Sequence, residues 1–363
     1  MKLKVTQENL TKALGVVARV ANARGTLPIL ANVLLKVEDN QLTIAATNLD
    51  IAITSRIGSQ VQKDGALTVP ARLLQDLVSS LPSGVIELEQ EENRLRVQTD
   101  HYKSVINGVA ADDFPVMPAI EKGVKVLIPA HILKEGLQQV VFAASNDESR
   151  PVLTGVIFQT IENQLYIAST DSYRLAEKKL IPLKEQLRLL IPASALQDVL
   201  RIISDRSEDV ELFCDEQQVR FSVEGVELVA RLIEGNYPDY RKLIPESFSV
   251  AATMPRQEFV NVTKVTSLFA RESAGSVVLS VDDAAESLWM RAVASQLGEN
   301  NASVAVQAQG SGEITLNSRY ILDALQAFGG KNTTIGFNGK VEAVLLSDPE
   351  DNSYRHLIMP LKS

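Results

Sequence analysis

The apolar positions of the chain follow helical and strand periods in turn, and they do so in the same order more than once. Leu10, Leu14, Val17 and Ala21 are spaced four, three and four apart, and Leu133, Leu137, Val140 and Ala144 repeat that spacing. Such a stripe predicts an amphipathic helix in each segment. Two strands are predicted after each helix, over 33–37 and 41–46 around Glu38-Asp39-Asn40, and over 152–160 and 164–169 around Ile161-Glu162-Asn163. Both pairs read as hairpins. A second helix is predicted where Val69-Pro70-Ala71-Arg72-Leu73-Leu74-Gln75-Asp76 recurs as Ile191-Pro192-Ala193-Ser194-Ala195-Leu196-Gln197-Asp198 and, more loosely, as Leu316-Asn317-Ser318-Arg319-Tyr320-Ile321-Leu322-Asp323. Strand pairs are predicted after each of these, over 85–90 with 94–99, 210–214 with 219–223, and 334–337 with 341–347.

These correspondences keep a register. Asp76, Asp198 and Asp323 lie 122 and 125 positions apart, while Thr47-Asn48-Leu49-Asp50 recurs as Thr170-Asp171-Ser172-Tyr173, and Phe114-Pro115 as Tyr237-Pro238, both after 123. A repeat of that length matches a typical domain. Three α+β domains are therefore predicted, over 1–121, 122–246 and 247–363. The joining segments, Met117-Pro118-Ala119-Ile120 and Leu243-Ile244-Pro245-Glu246, are short and apolar rather than Gly/Ser-rich, which predicts fixed angles between neighbours. The third copy diverges most: it carries an acidic stretch at 282–286, and its first helix is expected over 258–269.

Composition adds constraints to this picture. The chain has 363 residues, of which 45% are hydrophobic and 22% charged, as in ordinary globular domains, so it should fold throughout. No apolar run approaches the ~20 residues needed to span a bilayer, and Met1-Lys2-Leu3-Lys4-Val5 lacks a signal-peptide stretch, so a cytoplasmic protein without membrane contact is expected. Cys214 is the only cysteine, which excludes an intrachain disulfide and a Cys-based zinc site. His101, His131 and His356 are scattered and have no metal-motif neighbours. The net charge of −9 would repel a polyanion if it were spread evenly.

Catalytic signatures are missing as well. There is no G-x-G-x-x-G, G-x-x-x-x-G-K-[ST], H-E-x-x-H or G-x-S-x-G; Gly310-Ser311-Gly312 and Gly329-Gly330-Lys331 read as turns. No cofactor, metal or catalytic residue is expected. Two classes stay open on the residues alone: an enzyme on a repeated scaffold and a protein-binding scaffold without affinity for DNA.

The threefold repeat, the Thr170-Asp171-Ser172-Tyr173-Arg174-Leu175 run, Tyr237-Pro238-Asp239-Tyr240 and the closing Met359-Pro360-Leu361 together resemble the bacterial DNA polymerase III beta subunit, the replicative sliding clamp. The resemblance covers the whole chain. It implies a head-to-tail homodimeric ring of six domains, with inner helices around double-stranded DNA bound without regard to sequence and outer sheets. It further implies a non-enzymatic tether for the replicative polymerase that also recruits the clamp loader and repair or translesion polymerases through short Leu/Phe-containing peptides.

An acidic protein can encircle DNA only if its basic residues are gathered on the inner helices. Lys12 and Arg19 are seven apart, on one stripe away from Leu10, Leu14 and Val17, and Lys264 with Arg271 repeats the spacing. Lys134 and Arg201 also lie on or beside such helices. Ordinary solvated helix faces look the same, but the resemblance makes Arg24 and Arg72 the foremost DNA-facing candidates. Contacts to phosphates carry no sequence information and so permit sliding.

The resemblance also implies a peptide pocket. Leu153, Thr170, Leu175, Pro238, Leu243, Leu357 and Met359 match its apolar floor; Ser172, Tyr173, Arg174, Asn317, Tyr320, Val341, Pro360 and Leu361 match its rim and second subsite. Tyr173 and Lys242 stand where other members often carry His and Arg, so peptide preference is expected to differ, and Lys242 lacks the planar fork of Arg. The implied dimer interface joins Ser104 and Ile106, on an edge strand, to Leu268 and Phe269, at a helix end.

Overall fold

The computed structural model describes residues 1–21, 27–115, 119–296 and 298–361. Six α-helices and 26 strands are described, and every strand pairing among them is antiparallel. The helices are α1 (Gln7–Val17), α2 (Ala71–Ser80), α3 (Ala130–Val140), α4 (Ala193–Ile202), α5 (Arg256–Ser267) and α6 (Ser318–Ala327). The chain divides into two compact units, residues 1–133 with 194–232 and residues 134–193 with 233 onward.

The first unit holds two sheets. The five-stranded one runs Gln60–Lys63, Lys2–Thr6, Val85–Glu91, Arg94–Gln98, Lys103–Asn107, so its last strand is paired on one side only. The eight-stranded one runs Val124–Pro129, Asp209–Cys214, Gln218–Val223, Val226–Arg231, Ile51–Gly58, Gln41–Thr47, Asn32–Glu38, Gly65–Pro70. Strands of the first and second sequence repeats meet in this sheet, where Leu228 faces Ile53 and Arg56 reaches Glu227 through both of its terminal nitrogens. In α1, Leu10, Leu14 and Val17 are completely buried, as their spacing predicts; Ala21 falls beyond the helix end.

The second unit repeats the device. Its nine-stranded sheet joins the second repeat (Arg188–Pro192, Gly155–Ile161, Gln164–Thr170, Arg174–Pro182) to the third (Tyr354–Ile358, Val344–Ser347, Asn332–Phe337, Val250–Pro255, Gln307–Gln309). The junction is the pairing of Leu175 with Leu357. A four-stranded sheet, Gly298–Ala305, Ser287–Ala294, Ser276–Asp282, Gly312–Asn317, ends on Gly298–Ala305, again paired on one side only.

Local chemistry explains the repeated elements. Strands ending in Pro70, Pro129, Pro192 and Pro255 each lead directly into a helix, since proline lacks the N–H that a helix start would leave unpaired. Both predicted hairpins close through two residues of positive φ, Asp39-Asn40 and Glu162-Asn163, the geometry whose twist matches the flanking strands. The Thr-Asx turns match atom for atom. In one, Leu49 N donates to Thr47 Oγ1 and Ile51 N to Asn48 Oδ1; in the other, Ser172 N donates to Thr170 Oγ1 and Arg174 N to Asp171 Oδ1. Each forces its third residue, Leu49 or Ser172, to a φ near +80°.

Three expectations need correction. The segment over 152–160 is not strand throughout: Pro151–Thr154 forms a 3₁₀ turn, because Pro151 fixes φ and cannot donate to a ladder, and the strand begins at Gly155. Val341 precedes its strand, which spans Val344–Ser347, and stands 77% exposed. The first helix of the third copy spans Arg256–Ser267, two residues earlier than expected, because it starts directly after Pro255.

Candidate functional site

On one face of the nine-stranded sheet, Leu153, Thr170, Ser172, Arg174, Leu175, Pro238, Tyr240, Leu243, Leu357 and Met359 enclose a cavity of about 220 Å³. Leu175 and Leu357 come from paired central strands, Leu153 from the 3₁₀ turn after Pro151, and Leu243 from a second 3₁₀ turn, Tyr240–Leu243. Leu153, Leu175, Tyr240 and Leu357 are buried, whereas Leu243 stands 55% exposed at the mouth. Most of the polar groups here already have partners. Thr170 Oγ1 donates to the Arg174 carbonyl at 2.6 Å, and Ser172 Oγ accepts from Arg150 at 3.0 Å. The cavity therefore suits an apolar side chain, whose transfer from water needs no new polar partner.

Arg174 forms the hardest part of the wall. Its guanidinium donates to Asp171 (3.0 Å), Asp323 (2.6 Å) and the Phe142 carbonyl (2.9 Å), and lies over the rings of Phe142 and Tyr320, 5.3 and 4.8 Å from their centroids. Behind it, fully buried His356 stacks on Phe142. Burial, with the charge of Arg174 nearby, pulls its pKa down to about 3, so the ring is neutral.

The remaining residues expected at the pocket are placed around it rather than in it. Val341 and Lys242 border a shallower adjoining depression that shares Leu243 and Met359 with the cavity, and Lys242 pairs with Asp239 at 2.8 Å. Tyr173 is 58% exposed, and its carbonyl accepts from Met359 N. Asn317 caps α6 through Arg319 N and donates to the Ala274 carbonyl. Pro360 and Leu361 are half-buried, with Leu361 N bonded to the Thr315 carbonyl. Tyr240 lines the cavity without being among the residues expected there. It belongs to the Tyr237-Pro238-Asp239-Tyr240 run, but strand and helix periods say nothing about a residue in a 3₁₀ turn.

Among the basic candidates, Lys12 and Arg19 on and just after α1, Arg72 on α2, Arg201 on α4 and Lys264 on α5 are exposed; Lys134 on α3 is half-buried. Arg19 also donates to the Gly15 carbonyl and Arg201 to Asp198. Arg24 lies outside the described residues. Of the interface candidates, Ile106 is buried within its own unit while Val105 beside it is 53% exposed; Ser104 and Phe269 are half-buried and Leu268 is 50% exposed.

Three family models match the chain end to end: the N-terminal domain of the DNA polymerase III beta subunit over residues 1–118, its central domain over 127–239 and its C-terminal domain over 241–362. The chain belongs to the DNA polymerase III beta subunit family. It is 30% identical to the beta sliding clamp of Bacillus subtilis (strain 168) and 29% identical to that of Staphylococcus aureus (strain Mu50), each over the full length of both chains. The crystal structure of the Bacillus subtilis sliding clamp superposes with a TM-score of 0.95 at 29% identity, covering 100% of this chain and 99% of that one. A Pseudomonas aeruginosa sliding clamp bound to griselimycin gives a TM-score of 0.95 at 25% identity, with full coverage of both chains. As a member of that family the chain is a processivity factor of DNA replication and not an enzyme. Among the described residues no helix is long and apolar enough to cross a membrane.

Proposed function

We propose that two copies of the chain close head to tail around duplex DNA in the cytoplasm and hold the replicative polymerase on its template, and that the cavity at Leu175 and Leu357 receives the short apolar peptides through which the polymerase, the clamp loader and repair or translesion polymerases attach. In this reading the domains are 1–121, 122–246 and 247–363. Ser104, Ile106, Leu268 and Phe269 belong to the subunit contact. Lys12, Arg19, Arg24, Arg72, Lys134, Arg201 and Lys264 face phosphates.

The observation that carries the recruitment part is the cavity itself: it is open at Leu243, apolar within, and most of its polar groups are already engaged. An extended peptide can place a Leu or Phe side chain there, and burying it contributes about 1.5–3 kcal/mol. The overall reading is tested by loading the protein onto circular DNA and then linearising the circle. Retention before the cut and loss after it, together with a dimer mass by sedimentation, is the expected result. Equal retention on linear DNA would overturn it.

A further inference from the structure

Glu177 is a buried carboxylate, 3% exposed, that the cavity lining does not include. It sits two residues after Leu175 in strand Arg174–Pro182, hence on the same face of the sheet. Its Oε2 accepts two hydrogen bonds, from the Tyr240 hydroxyl at 2.8 Å and from Arg241 Nε at 2.9 Å. The Tyr240 hydroxyl in turn accepts from Gln159 Nε2 at 3.1 Å, and the Arg241 guanidinium lies 4.1 Å from the centroid of the Tyr166 ring. Burial, reinforced by the Glu177 charge, pushes the Tyr240 hydroxyl above its ordinary pKa, so it remains a donor.

The segment held by these bonds is the cavity wall formed by Pro238, Tyr240 and Leu243. It is a 3₁₀ turn outside the ladder of the sheet, and its own backbone bonds, Tyr240 N to the Pro238 carbonyl and Ile244 N to the Arg241 carbonyl, do not tie it to a strand. Side-chain bonds to Glu177 make that tie. They also engage the Tyr240 hydroxyl away from the cavity, which leaves the ring as its lining.

We infer that Glu177 is a positioning residue for ligand binding: by pinning Tyr240 and Arg241 it sets the width of the cavity and keeps that wall apolar, and so favours a bulky apolar side chain over a small or polar one. The inference rests on the cavity being the peptide site.

The test titrates a labelled peptide with a Gln-Leu-x-Leu-Phe core, and the same peptide with its Phe replaced by Ala, into the wild type, Glu177→Gln and Arg241→Gln. The wild type should bind the first peptide; if it does not, the peptide-site reading fails, and the inference with it. Each variant should weaken the Phe peptide at least threefold and the Ala peptide by less than twofold, because the loss falls on the side chain that the wall contacts. General destabilisation would weaken both peptides alike. Should Glu177→Gln not fold, Arg241→Gln, with its more exposed side chain, decides the matter. Binding of the Phe peptide by folded variants at wild-type affinity, or an equal loss for both peptides, overturns the inference.

Discussion

The guanidinium of Arg174 donates from Nη1 to Oδ2 of Asp323 at 2.6 Å, joining residues 149 positions apart. The bond ties the strand that begins at the cavity to α6. Asp323 is also the third of the aspartates that recur through the chain, and the copies have diverged in use: Asp198 accepts from Arg201 on its own helix, while Asp323 accepts from the cavity wall. Asp323→Ala removes one of the three acceptors of a nearly buried cation. A loss of about 1.5–3 kcal/mol is expected, read as a lower denaturation midpoint, with Asp323→Asn intermediate. An unchanged midpoint for both variants would show that Asp171 and the Phe142 carbonyl suffice.

His356 gives the fold an acid sensitivity. Its folded pKa of about 3 lies below the ordinary 6.5, so the unfolded chain takes up a proton that the folded one refuses. The contribution is fully present above pH 6.5 and is lost as pH falls from there toward 3. Between pH 7 and pH 5 this group removes about 2 kcal/mol of stability. Denaturant titrations at the two pH values should show that component in the wild type and not in His356→Phe, which keeps the stack on Phe142. Identical pH dependence in the two proteins would rule the histidine out.

For the DNA-facing helices, Arg72→Ala combined with Lys12→Ala should weaken binding to all duplex sequences alike. The slope of log affinity against log salt should become shallower by about 0.9 for each phosphate that is no longer neutralised. Sedimentation should still report a dimer. A slope that does not change places both residues away from the duplex.

At the subunit contact, Leu268→Ala with Phe269→Ala should yield monomers at micromolar concentration, since each side chain contributes roughly 1.5–3 kcal/mol when covered. Leu268 is half-exposed in the protomer, as a residue awaiting a partner must be. An undiminished dimer mass would place the interface elsewhere.

Deleting residues 359–363 removes Met359 from the cavity and the backbone bonds of Met359 N to Tyr173 and Leu361 N to Thr315. Strand Tyr354–Ile358 remains to complete the sheet, so the dimer should persist. Affinity for the Gln-Leu-x-Leu-Phe peptide should fall at least tenfold, about 1.4 kcal/mol. Equal affinity of the truncated and intact dimers would exclude the C-terminus from ligand capture.

The parts of the fold legible in the sequence are those governed by local periodicity. Leu10, Leu14 and Val17 announce their helix because a buried stripe has one spacing, and the Asp39-Asn40 and Glu162-Asn163 turns announce their hairpins because few residues accept positive φ. A strand beginning at Val152 is not what forms, because Pro151 fixes its own φ and has no N–H to give a ladder, which no apolar period reveals. The cavity is a different matter. Leu153, Leu175 and Leu357 look like core residues in any window, and only the family resemblance sets them apart. Glu177 gives no signal at all, since its partner Tyr240 is 63 positions away and nothing in either neighbourhood marks the pair.

Among the strands that end their sheets, Lys103–Asn107 bears on more than assembly, since it carries Ser104 and Ile106. In the proposed ring the subunit contact covers it. A protomer that loses its partner instead displays a row of unpaired backbone N–H and C=O groups, a template for β-addition. The same heterologous contact that closes after two copies becomes, if its rotation is perturbed, a contact that propagates into filaments. In that reading, solubility on dilution or after interface damage depends on how fast this edge regains its partner.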